Sequence, residues 1–205
     1  MYTLIKGHFH VVGYSPDGDS IKFKAKNDAR WRKVRTEHWE ALTQRLAEDG
    51  GAVMLRLQGI DALETHYTPA TLPTPKELGQ QVAIQQEKPE PGSHKQPAEL
   101  AELAAAELMC MLGVKRVEWR SWGKNTWISK VYVEKRGKEV CCEEKQEDKI
   151  PGYILTRDVD RKGRPIAWVF PGSASDRDGA RLTPDQLLSR IEQSANDRLL
   201  KLGLV

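Results

Sequence analysis

The amino-terminal part of the chain alternates apolar and polar residues, which is the pattern of strands with one buried face. Residues 2–13 alternate in this way, and residues 20–26 (Ser-Ile-Lys-Phe-Lys-Ala-Lys) do so in strict period two. Between them, Ser15-Pro16-Asp17-Gly18 is a strong turn signal, because proline presets φ and glycine accepts a positive φ. The two segments therefore predict a β-hairpin at the start of the fold.

Two helices are predicted from apolar residues that recur at helical spacing. The first is capped by Thr36 and ends at Gly50-Gly51, and the second has Pro97 in its first turn and ends at Gly113. The residues expected to form the buried stripe of the second helix are Leu100, Leu103, Leu108 and Leu112. Cys110 lies on the apolar face of this helix, so a buried structural thiol is expected there.

Further strands are predicted in the second half of the chain. Residues 114–119 and 166–170 have the pattern of strands, and residues 127–140 suggest a hairpin that turns at Arg136-Gly137-Lys138. A capped helical region follows Leu182-Thr183-Pro184-Asp185. Short strands interrupted by helices predict an α+β fold, mainly β, and the natural candidate is a five-stranded OB-fold barrel with flanking helices. The length of 205 residues fits one such domain.

Composition narrows the classes of protein without selecting one. The net charge of +3 and an isoelectric point near 8.7 permit a polyanionic partner but do not require one. No apolar run approaches the length of a membrane span, and residues 1–7 lack the apolar core of a signal peptide. We therefore expect a cytoplasmic protein with no membrane partner. The three cysteines have neither a zinc-site spacing nor a disulfide framework.

The segment Arg56-Leu57-Gln58-Gly59-Ile60-Asp61-Ala62-Leu63-Glu64 combines a cation with two carboxylates. Side chains alternate along a strand, so Arg56 points away from the apolar face of its strand. Asp61 and Glu64 follow where the strand breaks into a loop. A cation on a rigid element beside paired carboxylates suits a metal-assisted attack on a phosphate ester, although a strand followed by a solvated acidic loop has the same pattern.

Two further segments carry charged residues at turns. Asp17-Gly18-Asp19-Ser20 joins the predicted hairpin turn to its second strand. Residues 160–168 (Asp-Arg-Lys-Gly-Arg-Pro-Ile-Ala-Trp) form a turn that delivers Arg164 at the start of a strand. Each of these segments, taken alone, is a common solvated turn.

Together, the three segments resemble the motifs of the staphylococcal nuclease (thermonuclease) family. That family has a Gly-Asp-Thr hairpin exit, an Arg-x-x-x-x-Asp-x-Pro-Glu run and an Asp-x-x-Gly-Arg-x-x-Ala turn. This chain has Gly18-Asp19-Ser20, the run from Arg56 to Glu64 and the turn from Asp160 to Ala167 at matching spacing. A weaker match, to a carboxy-terminal helix of the family, covers residues 196–204. The resemblance implies a single nuclease-like OB domain over residues 1–205. Its insertions are expected near 30–50, 66–97, 123–150 and 171–190.

The resemblance also implies a calcium site and a nuclease activity. The Ca²⁺ ligands would be the carboxylates of Asp19 and Asp61 and the backbone carbonyl of Ala62, all of them hard oxygen ligands. Arg56 and Arg164 would bind the scissile phosphate of DNA or RNA. The expected reaction is hydrolysis of phosphodiester bonds with little sequence specificity, which leaves 3′-phosphate ends.

The remaining site residues are expected around this centre. Glu64 takes the position of the family's glutamate that orients or deprotonates the attacking water. The turn Asp160-Arg161-Lys162 is expected to bind substrate, and Lys162 could meet a phosphate. Leu63 stands where the family has a proline, which leaves φ unrestrained between the two carboxylates.

Other interpretations of the same chain are open. One is a catalytically silent OB module that binds nucleic acid or protein. Another is oligosaccharide binding on the OB face, which leaves the arginines and the metal-binding carboxylates unexplained. Trp119 alternates with Val117 as a core residue would, but next to Arg116 and Arg120 it could also stack on bases.

Overall fold

The computed structural model describes residues 1–63, 98–122, 125–135, 138–143 and 148–205. Its strands are, in chain order, β1 (Tyr2–His10), β2 (Ser20–Ala25), β3 (Ala52–Leu57), β4 (Val114–Trp122), β5 (Asn125–Lys135), β6 (Lys138–Glu143), β7 (Ile150–Val159), β8 (Pro165–Pro171) and β9 (Arg181–Leu182). Its α-helices are α1 (Trp39–Glu48), α2 (Ala98–Met111), α3 (Pro184–Leu188) and α4 (Ala195–Lys201), with 3₁₀ turns at Asp28–Lys33 and Ile191–Gln193. None of these helices is long and apolar enough to cross a membrane.

Five of the strands close into a barrel. The hydrogen-bonded order is β1-β2-β3-β8-β7, and β7 pairs with β1 to complete the circle. Strands β3 and β8 run parallel, while the other pairs in the barrel are antiparallel. This is an OB-like barrel. The fold is α+β and mainly β, as the sequence predicts.

The apolar side chains that alternate along the amino-terminal strands fill the interior of the barrel. In β2, Ile21, Phe23 and Ala25 are buried, whereas Lys22 and Lys24 lie on the outer surface. The same alternation continues in β3. Burial of apolar surface, at roughly 25 cal/mol per Å², is the main force that holds such a barrel closed.

Strand β7 is the largest feature of the barrel that the sequence does not reveal. No strand is predicted at residues 150–159, because Pro151 and Gly152 near their start are typical of turns. In the structure, a Cβ on Gly152 would lie 2.1 Å from a ring carbon of Phe9. The glycine is therefore required for the close approach of β1 and β7, and it does not end the strand.

Strands β4, β5 and β6 form a separate antiparallel sheet outside the barrel. The sheet joins the barrel at the segment after β1. There the N–H of Gly13 donates to the carbonyl of Ile128 (2.8 Å), and the N–H of Ile128 donates to the carbonyl of Tyr14 (3.1 Å). The predicted hairpin is present as β5 and β6, while residues 136–137 of its turn lie outside the described residues.

The buried stripe predicted for α2 is wrong in its first half. Leu100 and Leu103 are exposed, and so is Cys110, which was expected to be a buried thiol. The residues that α2 buries are Ala101, Ala104, Ala105, Leu108 and Met109, and Leu112 is buried just after the helix ends. Small side chains let the helix approach the turn before β2 closely, since a Cβ on Gly18 would lie 2.4 Å from the Cβ of Ala104.

The helix ends differ from the sequence prediction in detail. Pro97, expected in the first turn of α2, lies outside the described residues. Helix α1 begins at Trp39, and Thr36 caps a turn before it by accepting a hydrogen bond from the N–H of His38 (3.0 Å). Thr183 caps α3 through a capping box, as expected.

Asn196 in α4 ties the two parallel strands together. Its Oδ1 accepts a hydrogen bond from the N–H of Val169 (2.9 Å). Its Nδ2 donates to the carbonyls of Gln58 (2.9 Å) and Ala167 (3.1 Å). The side chain is fully buried, so these bonds satisfy polar groups that would be costly to leave unpaired. Helix α4 thereby fixes the end of β3, just before the loop that carries Asp61.

Candidate active site

Strand pairing brings Arg56 and Asp19 together. Ser20 lies opposite Arg56 in the register of β2 and β3, and the N–H of Leu57 donates to the carbonyl of Asp19 (2.8 Å). Because Leu55 and Leu57 point into the barrel, the side chain of Arg56 lies on the outer surface, as the alternation predicts. Asp19 is therefore placed beside this guanidinium by the main chain itself.

Arg56 lies between two carboxylates. Its Nη1 is 2.6 Å from Oδ2 of Asp19, and its Nη2 contacts Oδ1 of Asp61. Asp19 is buried, with 3% of its surface exposed, whereas the side chain of Asp61 is 84% exposed. The guanidinium thus bridges one internal acid and one external acid that come from different loops.

Burial makes the ionised form of Asp19 costly. Desolvation raises the pKa of Asp19, and the attraction of Arg56 together with a hydrogen bond from the N–H of Ala62 (3.1 Å) offsets only part of that effect. The negative charge of Asp61 raises the pKa further. A second cation at this position would favour the ionised form of Asp19.

Helix α2 packs against the turn that carries Asp19, and this turn packs against the loop that carries Asp61. Gly59 has a φ of +79°, which turns the chain out of β3 in a conformation that glycine adopts at little cost. A Cβ on Gly18 would lie 2.4 Å from the Cβ of Ala104 in α2 and 3.0 Å from the Cβ of Ala62. Glycine therefore allows the turn before Asp19 to pack between the helix and the second loop.

The carboxylates of Asp19 and Asp61 suit a hard divalent cation, but they supply only part of the ligands that such an ion needs. Asp19 and Asp61 both reach a single cationic group, so oxygen atoms of both acids can face one ion. Within the part of the chain that the structure describes, no three His, Cys, Asp or Glu side chains form a metal-binding group. Glu64, the third acid predicted here, lies outside the described residues. A bound Ca²⁺ would need backbone, water or substrate oxygens to complete its coordination.

A turn organised by Asp160 holds Arg164. Oδ1 of Asp160 accepts hydrogen bonds from the N–H groups of Lys162 (2.9 Å) and Arg164 (2.8 Å), and Oδ2 accepts one from Nε of Arg164 (2.8 Å). Gly163 has a φ of +80°. Burial alone would raise the pKa of Asp160, but the hydrogen bonds and charge of Arg164 and the N–H of Lys162 outweigh it and hold the pKa below its usual range. Asp160 therefore positions the arginine.

Arg164 and Arg56 border the same surface of the barrel. Ile166 lies opposite Arg56 in the parallel pairing of β3 and β8. Arg164 precedes Ile166 by two residues, so the period of two places it on the same side of the sheet. Two residues correspond to a displacement of about 7 Å along the strand. One bound phosphodiester segment can therefore meet both arginines.

Helix α1 packs against the Arg164 turn, a contact that no sequence motif predicts. A Cβ on Gly163 would lie 2.5 Å from the carbonyl oxygen of Ala41, and Nε of Arg45 donates to the carbonyl of Lys162 (3.3 Å). A cleft of about 400 Å³ opens beside this contact. Its charged lining residues are Lys22, Arg45, Glu48, Asp49, Lys162 and Arg164.

The predicted site residues thus fall into two adjoining groups. The first group, at the ends of β2 and β3, contains Asp19, Arg56, Asp61 and Ala62. The second group is the turn before β8, where Asp160 holds Arg164 and the side chains of Arg161 and Lys162 are exposed.

Comparison with known proteins identifies no relative of this chain. No family model, no curated protein and no solved structure matches the chain. A functional conclusion therefore depends on the three short motifs and on the geometry that the fold gives them.

Proposed function

We propose that the protein is a calcium-dependent nuclease of the staphylococcal nuclease type, which hydrolyses phosphodiester bonds of DNA or RNA. The main support is the contact of Arg56 with both Asp19 and Asp61, because a guanidinium, which suits a phosphate, lies beside two carboxylates, which suit Ca²⁺. Arg164, held on the same surface by Asp160, is the second guanidinium that the reaction requires. The OB-like barrel agrees with the fold that the motifs imply.

The two arginines would stabilise the charge that develops on the phosphate. Attack on a phosphodiester adds negative charge to its non-bridging oxygens, and fixed donors oppose that charge without reorganisation. A guanidinium can hold two oxygens at once, which an ammonium group cannot do. The side chains of Arg56 and Arg164 are 27% and 31% exposed, so a ligand on the surface can reach them.

Asp19 and Asp61, with the backbone carbonyl of Ala62, would hold Ca²⁺. When bound, the ion supplies a positive charge next to the reacting phosphate. The contact of Arg56 with the exposed Asp61 is the one that can be exchanged, since Asp19 is fixed by burial and by the N–H of Ala62. Rotation of Asp61 away from the guanidinium would make donors of Arg56 available to the phosphate.

Glu64 would position or deprotonate the attacking water. It follows Asp61 by three residues. A carboxylate that is not bound to the metal can take the proton of the water as the new O–P bond forms. The 5′-oxygen of the next nucleotide then leaves, and the phosphate stays on the 3′-oxygen.

A catalytically silent OB module that binds nucleic acid or protein is the second candidate. The observation that favours it is that both arginines are paired with acids, Arg56 with Asp19 and Asp61, and Arg164 with Asp160. If the contact between Arg56 and Asp61 persists with Ca²⁺ and substrate present, that arginine cannot engage a phosphate fully.

Cleavage assays separate the two candidates. End-labelled single- and double-stranded DNA and RNA are incubated with Ca²⁺ or with a chelator, using the wild type and the Glu64→Gln variant. We expect Ca²⁺-dependent cleavage that leaves 3′-phosphate ends and that is lost in Glu64→Gln, because the amide cannot accept a proton. The control is Glu192→Gln, at an exposed glutamate outside the site. Binding without Ca²⁺-dependent cleavage would support the silent module.

A further inference from the structure

Helix α1 lines a second cleft, which shares no residue with the proposed active site. The volume of this cleft is about 760 Å³, which lies in the range of small-molecule sites. Trp39 and Thr43 line it from successive turns of α1, whereas Ala41 and Arg45, which contact the Arg164 turn, lie on a different face of the helix. The lining residues are Arg32, Val34, Arg35, Thr36, Trp39 and Thr43.

Two arginines in this cleft have no acidic partner among the residues that the structure describes. Arg32 and Arg35 are both exposed, and neither guanidinium has a hydrogen bond or an ion pair with a described group. The acids nearby in the sequence, Asp28, Glu37 and Glu40, do not line the cleft. The two arginines of the proposed active site, in contrast, are each held by an acid. Two guanidiniums in one cleft repel each other, so a bound anion would be stabilised there.

Trp39 gives the same cleft a flat aromatic surface. Its side chain is half-buried and packs against the barrel core, which restrains the ring. Thr36 adds a hydroxyl group. Its Oγ1 accepts a hydrogen bond from the N–H of His38 (3.0 Å), so the hydroxyl proton remains available to a ligand. The cleft therefore combines an aromatic ring, a hydrogen-bond donor and two cations.

We propose that this cleft binds a nucleotide, with its phosphate on Arg32 and Arg35 and its base against Trp39. A guanidinium can hold two phosphate oxygens at once, and an aromatic ring stacks on any base. A free mononucleotide and one nucleotide of a single strand both present a phosphate close to a flat ring. The choice of a nucleotide over another aromatic phosphate, such as phosphotyrosine, rests on the proposed function.

Calorimetric titration with a chelator present tests the cleft without cleavage. The ligands are deoxyadenosine 5′-monophosphate, an oligodeoxyadenylate, inorganic phosphate and phosphotyrosine. We expect the monophosphate to bind the wild type, and to bind Arg32→Ala and Arg35→Ala about ten-fold more weakly or worse, because each variant loses charge-assisted hydrogen bonds. The control is Arg181→Ala, which removes the same charge from an exposed position on β9 and leaves the affinity unchanged.

The variant Trp39→Leu tests the contact of the base separately from that of the phosphate. Leucine keeps an apolar side chain against the core but removes the ring. We expect this variant to bind the monophosphate about five-fold more weakly or worse, and to bind inorganic phosphate as the wild type does. Thermal unfolding checks that it folds. The arginine variants change exposed side chains, so they test the cleft even if Trp39→Leu does not fold.

Three results would overturn the inference. They are no binding of either nucleotide ligand by the wild type, equal affinities of Arg35→Ala and Arg181→Ala, and tighter binding of phosphotyrosine than of the monophosphate. If binding depends on Arg35, the tighter of the two nucleotide ligands identifies the source as a single strand or a free nucleotide. Cleavage with Ca²⁺ is measured separately. Binding that depends on Arg35 without cleavage would refute only the nuclease, and cleavage with binding independent of Arg35 would refute only this cleft.

Discussion

Two arginines on one surface of the barrel are held by acids in different ways. Arg164 and Asp160 belong to a single turn, in which the same carboxylate also accepts two backbone hydrogen bonds. Arg56 instead reaches across to Asp19 and Asp61, which come from separate loops, and Asp61 is largely exposed. Arg164 is thus fixed before any ligand arrives, whereas Arg56 has one partner that a ligand can replace.

The difference suits two tasks. A guanidinium that is already oriented stabilises charge in the transition state without reorganisation. A guanidinium between a buried acid and an exposed, exchangeable acid would keep both acids neutralised until the proposed metal ion binds them. The following predictions test the fixed arginine, the residues that support its turn, and the acid that Arg56 contacts.

The largest effect is expected at the fixed arginine. In Arg164→Lys, the planar fork and the Nε bond to Asp160 are lost, so we expect the cleavage rate to fall by about 100-fold or more. The control is Arg181→Lys, at an exposed arginine on β9. Cleavage by Arg164→Lys within a few-fold of the control would remove Arg164 from the phosphate site. The measurement is the initial rate on an end-labelled oligonucleotide.

The packing of α1 against the turn is tested by a pair of glycines. Gly163 and Gly172 have similar φ values of +80° and +74°, so an alanine strains the backbone at both positions. A Cβ on Gly163 also meets the carbonyl of Ala41 at 2.5 Å, while a Cβ on Gly172 meets no described atom within 4 Å. We expect Gly163→Ala to destabilise the fold by about 1–3 kcal/mol more than Gly172→Ala in urea unfolding. Equal losses in the free energy of unfolding would show that packing of α1 does not stabilise the turn.

Asp19 should reduce the stability of the Ca²⁺-free protein as the pH rises. Its pKa is raised by burial, so the folded state keeps a proton that the unfolded state releases above a pKa of about 3.9. Stability is therefore lost between that pH and the higher folded pKa. We expect Asp19→Asn to lack this loss and to unfold at an equal or higher temperature at neutral pH. Ca²⁺ should raise the unfolding temperature of the wild type but not of Asp19→Asn.

Thermal unfolding followed by circular dichroism from pH 4 to pH 7 checks this prediction. Asp61→Asn is the matched variant, since that side chain is exposed and carries no desolvation cost of similar size. The same decline with pH in Asp19→Asn as in the wild type would show that Asp19 is not the destabilising acid.

The smallest effect is expected for Arg45→Ala. Its bond to the carbonyl of Lys162 is 3.3 Å long and lies at the surface, so its loss should cost about 0.5 kcal/mol or less. The cleavage rate should change by no more than a few-fold. A loss comparable to that in Gly163→Ala would mean that the hydrogen bond, and not the packing of Gly163 on α1, holds the turn.

The barrel is predictable from the sequence where one face of each strand is buried. The strict alternation in β2 marks its inner face, and β3 follows the same rule around Arg56. Strand β7 is not predicted from the sequence because Gly152 resembles a turn residue. In the structure, this glycine instead allows close packing on Phe9. In α2 the helical period is recognisable, but tertiary packing on Gly18 selects a face of alanines over Leu100 and Leu103.

The site is predictable to the extent that strand pairing joins distant motifs. Strands β2 and β3 follow each other in the order of strands and pair with each other, so Asp19 before β2 approaches Arg56 near the end of β3. The contact of α1 with the turn at Gly163 cannot be predicted in this way, because it joins distant segments that share no sequence pattern. Trp119 alternates with the partly buried Val117 as a core residue would, yet its side chain is 46% exposed, which alternation alone does not predict.

The most direct measurement is the initial cleavage rate of an end-labelled single-stranded oligonucleotide at increasing Ca²⁺ concentration. The wild type is measured beside Arg56→Lys and Arg181→Lys. We expect the rates of the wild type and Arg181→Lys to rise with Ca²⁺ and saturate, and the rate of Arg56→Lys to stay about 100-fold lower. A rate that does not depend on Ca²⁺, or equal rates for Arg56→Lys and the wild type, would contradict the assignment of Asp19, Arg56 and Asp61 as an active site.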